Sequence, residues 1–269
     1  MKIELLVSAM HQEDMSLAAK MNCKSDALII NQCDHEGYQE GLINGYKVRM
    51  ISTIQRGLSK SRNMALIHAK GDICVLCDDD ERMEDNYVDI ISAAFQRRPE
   101  ADIIAFNYRD ENPRAKRKLI ESEKRSSNWR MFSSVSLAFK RERVLTQGLW
   151  FDHRLGAGSG IIKAGEESLW QKNAIRRSLL RWECPDYITT VTQDSSTWFK
   201  GYNESYYYDI GANLSLNHPY LCWFMQLYYI LRLRKVSSLS IRKQLFWMTR
   251  GMKGIKMNLG YESYKEQYK

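Results

Sequence analysis

The sequence predicts an α/β protein with a mostly parallel sheet, and three observations carry that prediction. Apolar runs of strand length alternate with helix-length segments through residues 1–110, a rhythm that gives right-handed crossovers and parallel pairing. The run Ile73-Cys74-Val75-Leu76-Cys77 leads directly into Asp78-Asp79-Asp80. Three acids therefore stand at the carboxyl end of a buried strand, the edge where open α/β sheets place ligands. The 269 residues leave room for one such domain of about 200 residues and a smaller appendage.

Taken in order, residues 2–9 read as a strand, 13–23 as a helix with Leu17, Ala18 and Met21 on one face, and 26–31 as a second strand. A third strand at 48–52 precedes a helix at 59–69, a fourth strand at 73–77, a helix at 85–97 and a fifth strand at 102–107. The pattern then loosens. Residues 112–128 are polar and basic around Pro113 and read as a mobile loop or β excursion. A strand at 136–140, a short helix at 141–146, a glycine-bearing loop at 155–165, a helix at 166–177 and a strand at 186–193 follow. From residue 201 the chain reads as a helical appendage, with no internal repeat and no low-complexity segment.

Lys and Arg outnumber Asp and Glu by 40 to 32, a net charge of +8. The excess gathers late, in Arg232, Arg234, Lys235, Arg242, Lys243, Arg250, Lys253 and Lys256, where it can serve nucleic acid, anionic lipid or solubility. The six cysteines are scattered and form no disulfide framework. Cys74-x-x-Cys77 has zinc-like spacing, but strand alternation sends its sulfurs to opposite faces, so buried packing is the reading. The amino terminus enters a strand at once, with Glu4 inside the apolar stretch, and offers no signal peptide. A cytoplasmic location is the expectation.

Adjacent carboxylates repel one another, and hard divalent ions such as Mg²⁺ or Mn²⁺ choose carboxylate oxygens. The acidic triplet is therefore either a metal site or a solvated turn capping the helix that follows. Asp34 ends the second strand on the same edge, where a carboxylate can accept from a uracil imino group or ribose hydroxyls; a plain loop aspartate is the alternative. In Gly57-Leu58-Ser59-Lys60-Ser61-Arg62-Asn63 the glycine frees a turn and Ser59 can cap a helix whose first turn carries Lys60 and Arg62, a setting that favours an anion. Two solvated cations on a capped helix are the other reading. The run Phe151-Asp152-His153-Arg154-Leu155-Gly156-Ala157-Gly158-Ser159-Gly160 allows close backbone approach to a ligand and leads to Gly165-Glu166-Glu167. Paired acids at a helix start suit the helix dipole, and they also stand where a general base belongs.

These pieces occur in the order seen in family 2 glycosyltransferases of the GT-A fold, and the sequence resembles that family over about residues 1–200. The resemblance implies a GT-A domain over 1–200, with a nucleotide-binding half at 1–110 and an acceptor half at 111–200, followed by a basic, aromatic helical extension at 201–269. It implies an inverting transfer from a nucleoside-diphosphate sugar, a UDP-sugar first, to a saccharide hydroxyl. By resemblance Asp34 is the uracil-side acid, and Arg62 a base or phosphate contact beside Lys60. Asp78 lies nearest the ribose, Asp80 ligates Mn²⁺ or Mg²⁺ with Asp78 beside it, and Asp79 assists either. Gly158 and Ser159 belong to the ligand loop. The family pattern Glu-Asp at the base position is Glu166-Glu167 here, which makes Glu167 the base and leaves Glu166 a competitor. His218 is a candidate for the metal shell, with a turn residue as the alternative.

Similar bacterial enzymes extend polysaccharide repeat units on a polyprenyl-diphosphate carrier, which would suit the tail. Residues 219–231 are strongly apolar and aromatic and are succeeded by Arg232, Arg234 and Lys235. The stretch is short of the roughly 20 residues that span a bilayer. It can pack on the domain, lie against an anionic membrane through 219–256 at the inner face, or do both. Two rivals remain. Sugar-phosphate nucleotidyl transfer normally needs a glycine-rich loop after the first strand, and Ser8-Ala9-Met10-His11-Gln12 is not one. Nucleic-acid binding through the tail lacks a recognisable module, so no nucleic-acid partner is expected.

Overall fold

The computed structural model describes residues 1–111, 118–192 and 201–268. The chain divides into two compact units. A sheet unit holds 1–56, 60–151 and the described residues from 170 to 192, and a helical unit holds 57–59, 152–169 and 201–268.

The strands of the sheet unit are β1 (Ile3–Met10), β2 (Asp26–Gln32), β3 (Gly37–Ile43), β4 (Tyr46–Thr53), β5 (Ile73–Asp78), β6 (Glu81–Met83), β7 (Ile103–Asp110), β8 (Lys124–Arg125), β9 (Leu137–Lys140) and β10 (Arg181–Val191). They lie in the order β3-β4-β2-β1-β5-β9-β7-β10-β6, with β8 on β10. Strands β4, β2, β1 and β5 pair in parallel, and β7 and β10 run the same way beyond an antiparallel β9. The α/β, mostly parallel reading holds, with antiparallel strands at the edges and at β9.

Alternation along the buried strands feeds two cores. Leu5, Val7 and Ala9 face one side with α1 (Leu17–Lys20) and α3 (Tyr87–Arg97). Leu6 faces the other with α2 (Leu58–His68), α4 (Arg141–Thr146) and the later turns of α5 (Glu166–Arg176). Cys77 belongs to the first core and Cys74 to the second, so the Cys-x-x-Cys pair is split by the sheet and packs as apolar filling. The acid inside the first strand is also explained. Glu4 is buried, takes Arg49 at 2.6 Å and accepts the Gly71 backbone N–H at 2.7 Å.

Several element readings are corrected. The helix read at 13–23 shrinks to α1, because Met21 and Asn22 already leave helical geometry, Asn22 at φ 56°. The strand read at 186–193 begins five residues earlier, at Arg181, and its last predicted residue, Gln193, lies outside the described residues. Of the excursion read at 112–128, residues 112–117 lie outside them too, while Lys124–Arg125 forms β8. Strand β3 was invisible to an apolar count because its outer face is exposed. Its signal was Asn44-Gly45, both at positive φ (52° and 83°), the two-residue hairpin turn joining Ile43 to Tyr46.

In the helical unit, α6 (Glu204–Asn217), α7 (Cys222–Leu233), α8 (Ile241–Gly254) and α9 (Tyr261–Gln267) bear out the helical reading after 201. Helices α6 and α8 touch backbone to backbone. A Cβ on Gly211 would lie 1.9 Å from the Met248 carbonyl oxygen, and one on Gly251 would lie 1.9 Å from that of Tyr208. Among the described residues no helix is long and apolar enough to cross a membrane.

Candidate active site

In the sheet unit, register sets the level of the acids. Ser8 of β1 pairs with Ile30 on one side and Asp78 on the other, so the carboxyl ends of β2, β1 and β5 form one edge. Asp78 is the last residue of β5; Asp79 and Asp80 make the turn into β6. The turn is not a helix cap, since β6 intervenes and the residue before α3 is Asn86.

The three acids have different surroundings. Asp78 receives the Arg62 guanidinium at 3.0 Å, and the same nitrogen donates to Ser134 Oγ at 2.8 Å. Arg62 is only 2% exposed and lies over the Phe151 ring at 5.5 Å. A guanidinium fixed between a carboxylate, a hydroxyl and an aromatic face is pre-organised to hold charge at the strand tip. Asp79 accepts the Met10 backbone N–H at 3.3 Å, tying the turn to β1. Asp80 is anchored through its carbonyl by the Thr192 N–H and hydroxyl, at 3.0 and 2.9 Å. Burial, then the charge of Asp78, pushes its carboxyl up to about 6. Glu81, unnoticed in the sequence, is buried and accepts the Asp78 N–H at 2.6 Å. Burial and the charge of Asp78 hold it well above the usual carboxylate range.

Among the described residues Arg62 is the cation paired with this group, and no cation pairs with Asp80. Crowded, partly desolvated oxygen donors with uncompensated charge are a set that a hard divalent ion suits. Asp78 and Asp80 fit such an ion by donor chemistry.

Asp34 lies two residues past β2 with its side chain 92% exposed, and His35 Nδ1 stands 3.1 Å from its carboxylate. That contact, with a backbone N–H, holds the carboxyl below its usual range. Cys33, Asp34 and His35 are also the one group of three metal-type ligands, within 4.8 Å of one another, among the described residues. Lys60 is exposed on α2.

In the helical unit the glycine loop closes on the start of α2. Leu58 N–H donates to the Ala157 carbonyl at 2.9 Å and Ser59 Oγ to the Leu155 carbonyl at 2.7 Å. Gly57 and Gly158, at φ 118° and 73°, meet so closely that a Cβ on either would lie 3.3 Å or less from the other's backbone. The Ser59 hydroxyl thus fastens the loop, and Ser159 shapes it from within, donating to the Ile162 carbonyl at 2.8 Å. The two acids that open α5 differ. Glu166 is buried, its side chain laid against Gly156, where a Cβ would stand 3.3 Å from Glu166 Cδ; Glu167 is half-buried and the more accessible. His218 closes α6, its N–H donating to the Leu214 carbonyl at 2.8 Å and its carbonyl accepting from Leu221 at 3.0 Å.

Reading the sequence alone missed Glu81 and Ser134. Glu81 had a signal, being the fourth acid in the row. Ser134 had none, standing 72 residues from the arginine it receives.

The family description "Glycosyl transferase family 2" matches residues 28–159. Among solved structures, S. aureus TarS 1-349 in complex with UDP aligns at a TM-score of 0.62 and 13% identity, covering 97% of this chain and 83% of that one. The same fragment with UDP-GlcNAc gives 0.60 and 14%, covering 92% and 78%. In a third structure, of S. aureus TarS 1-349, the score is 0.56 at 13% identity over 80% of this chain; the chain spans 64% of that structure, under two thirds. No curated protein matches the sequence. At such identities the likeness is one of fold.

Proposed function

We propose that the chain, whose residues 28–159 match family 2 glycosyltransferases and whose α/β fold is GT-A-like, transfers a sugar, with inversion, from a UDP-sugar to a hydroxyl of a saccharide acceptor. The observation that carries this reading is the tip of β5, where Asp78 is paired to the buried Arg62 while Asp80 keeps an uncompensated carboxylate. The TarS complexes with UDP and with UDP-GlcNAc support a uridine donor.

In this reading Asp34 takes the uracil, Asp78 the ribose, and Arg62 fixes Asp78 so that it does not swing. Lys60 favours the donor's phosphates by charge. Asp80, with Asp78, would hold Mg²⁺ or Mn²⁺, which when bound neutralises charge on the leaving diphosphate. Glu167 removes the proton from the acceptor hydroxyl as that oxygen attacks the anomeric carbon from the face opposite the diphosphate. Glu166, packed against Gly156, positions the helix start. Gly158 and Ser159 keep the loop in the shape that approaches the donor.

The acceptor belongs on a polyprenyl-diphosphate carrier, and the enzyme on an anionic membrane surface. Helix α7 supports this, with Trp223 61%, Phe224 77%, Leu227 59% and Leu231 63% exposed ahead of Arg232, Arg234 and Lys235. Aromatic and cationic side chains together are suited to a lipid interface.

The deciding experiment is a thermal-shift panel of nucleotide sugars with Mn²⁺, with Mg²⁺ and with chelator. Uridine nucleotides should raise the melting temperature, more so with metal. Equal shifts from all nucleotides, or none, would sink the donor assignment, and shifts indifferent to chelator would remove the metal.

A further inference from the structure

We propose that a cavity in the sheet unit, walled by the turn Ser134–Ser136 and by β8, binds the acceptor as an anionic saccharide. Its volume is about 680 Å³, inside the roughly 300–1,000 Å³ usual for small-molecule sites. Lys118, Lys124, Arg125 and Arg130 line it, with Trp129 and Phe132.

The charge balance is one-sided. Glu183 is the acid in the wall; it is 1% exposed and bonded to Arg130 at 2.5 Å. Arg130 also donates to the carbonyls of Lys118 and Leu119 and lies over the Phe132 ring. This arginine neutralises the acid and is structural. Lys118, Lys124 and Arg125 have no acidic partner among the described residues, so the cavity keeps an excess of positive charge. Trp129 is 70% exposed, an apolar plate at the rim of the kind that stacks on the face of a sugar ring.

The cavity also touches the nucleotide side. Ser133 and Ser136 line it, and Ser134 between them accepts from Arg62 at 2.8 Å, the residue that pairs with Asp78 at 3.0 Å. One turn of chain thus separates the cationic cavity from the donor acids. The assignment rests on the glycosyltransferase reading, which calls for a saccharide acceptor; the cations then select one bearing phosphate or carboxylate.

The test is titration calorimetry of the full chain with tetragalacturonate, glucose 1-phosphate, neutral maltotetraose and a thymidine oligonucleotide. UDP-induced thermal stabilisation is measured on the same samples. An anionic saccharide should bind and maltotetraose should not. The double variant Lys124→Ala/Arg125→Ala should weaken that binding at least tenfold, the effect of losing charge-assisted contacts, and separately Trp129→Ala should weaken it up to about tenfold, the effect of losing ring stacking, while UDP stabilisation is unchanged. Preference for tetragalacturonate or for glucose 1-phosphate tells carboxylate from phosphate. No anionic binding, equal binding of maltotetraose, tighter binding of the oligonucleotide, or unaltered affinity in the variants overturns the proposal. UDP stabilisation without anionic binding defeats this inference alone, whereas loss of UDP stabilisation in the unaltered chain defeats the glycosyltransferase donor reading.

Discussion

The sheet unit and the helical unit place their functional side chains by different physics. In the sheet unit the level of each acid is set by hydrogen-bond register, with Ser8 against Asp78 on one side and Ile30 on the other. The side chains at the strand tips then extend from a backbone that does not depend on them. In the helical unit position depends on close approach at glycine. Gly57 lies on Gly158, Gly156 under Glu166, Gly211 on Met248 and Gly251 on Tyr208. A change of chemistry at a strand tip should therefore cost activity and leave the fold, whereas a single methyl group in the helical unit should cost the fold.

The largest effect expected tests the helical unit's own chemistry. Glu167→Gln should lower transfer about 10²–10⁴-fold, the usual contribution of a general base, with an unchanged melting curve. Glu166→Ala should instead lower the melting temperature, because it removes the buried side chain that packs against Gly156. The reverse pattern would exchange their roles. Next comes the exception to the rule for strand tips. Arg62→Ala removes the partner of Asp78 and leaves Ser134 and Phe151 around a hole. Breaking a buried ion pair costs about 3–5 kcal/mol; the lower end applies, since the Asp78 side chain is 32% exposed. Arg62→Lys should not rescue it, because one ammonium does not reproduce the fork. A denaturation midpoint within error of the unaltered protein would show that Arg62 serves ligand alone.

The rule for glycines is broken or kept by Gly251→Ala. An added Cβ would stand 1.9 Å from the Tyr208 carbonyl oxygen, and backbone on a helix axis cannot give way as a side chain does. Overpacking of this sort costs about 1–3 kcal/mol, read as a lower urea midpoint. Gly148→Ala is the contrast, having nothing within 4 Å and a positive φ of 57°, so that it meets backbone strain without a clash, whereas Gly251 is helical and meets the clash alone; it should cost less.

The same contrast explains what could be read in the sequence. Apolar runs such as Ile73–Cys77 state both a strand and its end, so the acids at its tip, and Asp34 two residues past β2, were legible from the alternation. Strand β3 was legible in principle through Asn44-Gly45 and was missed because its exposed face hides the apolar alternation. The partnership of Arg62 with Ser134 spans 72 residues and leaves no local trace, since a serine in a polar stretch looks like any other. Nor does a glycine announce which backbone it will meet: Gly211 and Gly251 sit inside helices, where composition alone counts them as weak points. Their reason is a contact between segments distant in the chain.

The smallest effect compares two carboxyls that both rise to about 6, Asp80 in the sheet unit and Asp209 in the helical unit. For Asp80 the neighbouring acids add to burial; for Asp209 burial acts alone, opposed by the Lys163 backbone N–H and the Lys163 charge. The folded value of Asp209 lies above its usual 3.8, so between about pH 4 and 6 the native state binds the proton that the unfolded chain has released. Stability therefore falls as pH rises through that window, and the full penalty is present above it. Asp209→Asn removes the penalty. It should stabilise the protein on the order of 1–2 kcal/mol at pH 7.5 and by almost nothing at about pH 3, where both states are largely protonated. Stabilisation equal at both pH values would mean that packing, not charge, is responsible. A loss at pH 7.5 would mean that the ionised carboxylate, held by the Lys163 backbone N–H and the Lys163 charge, contributes to the fold instead of costing it.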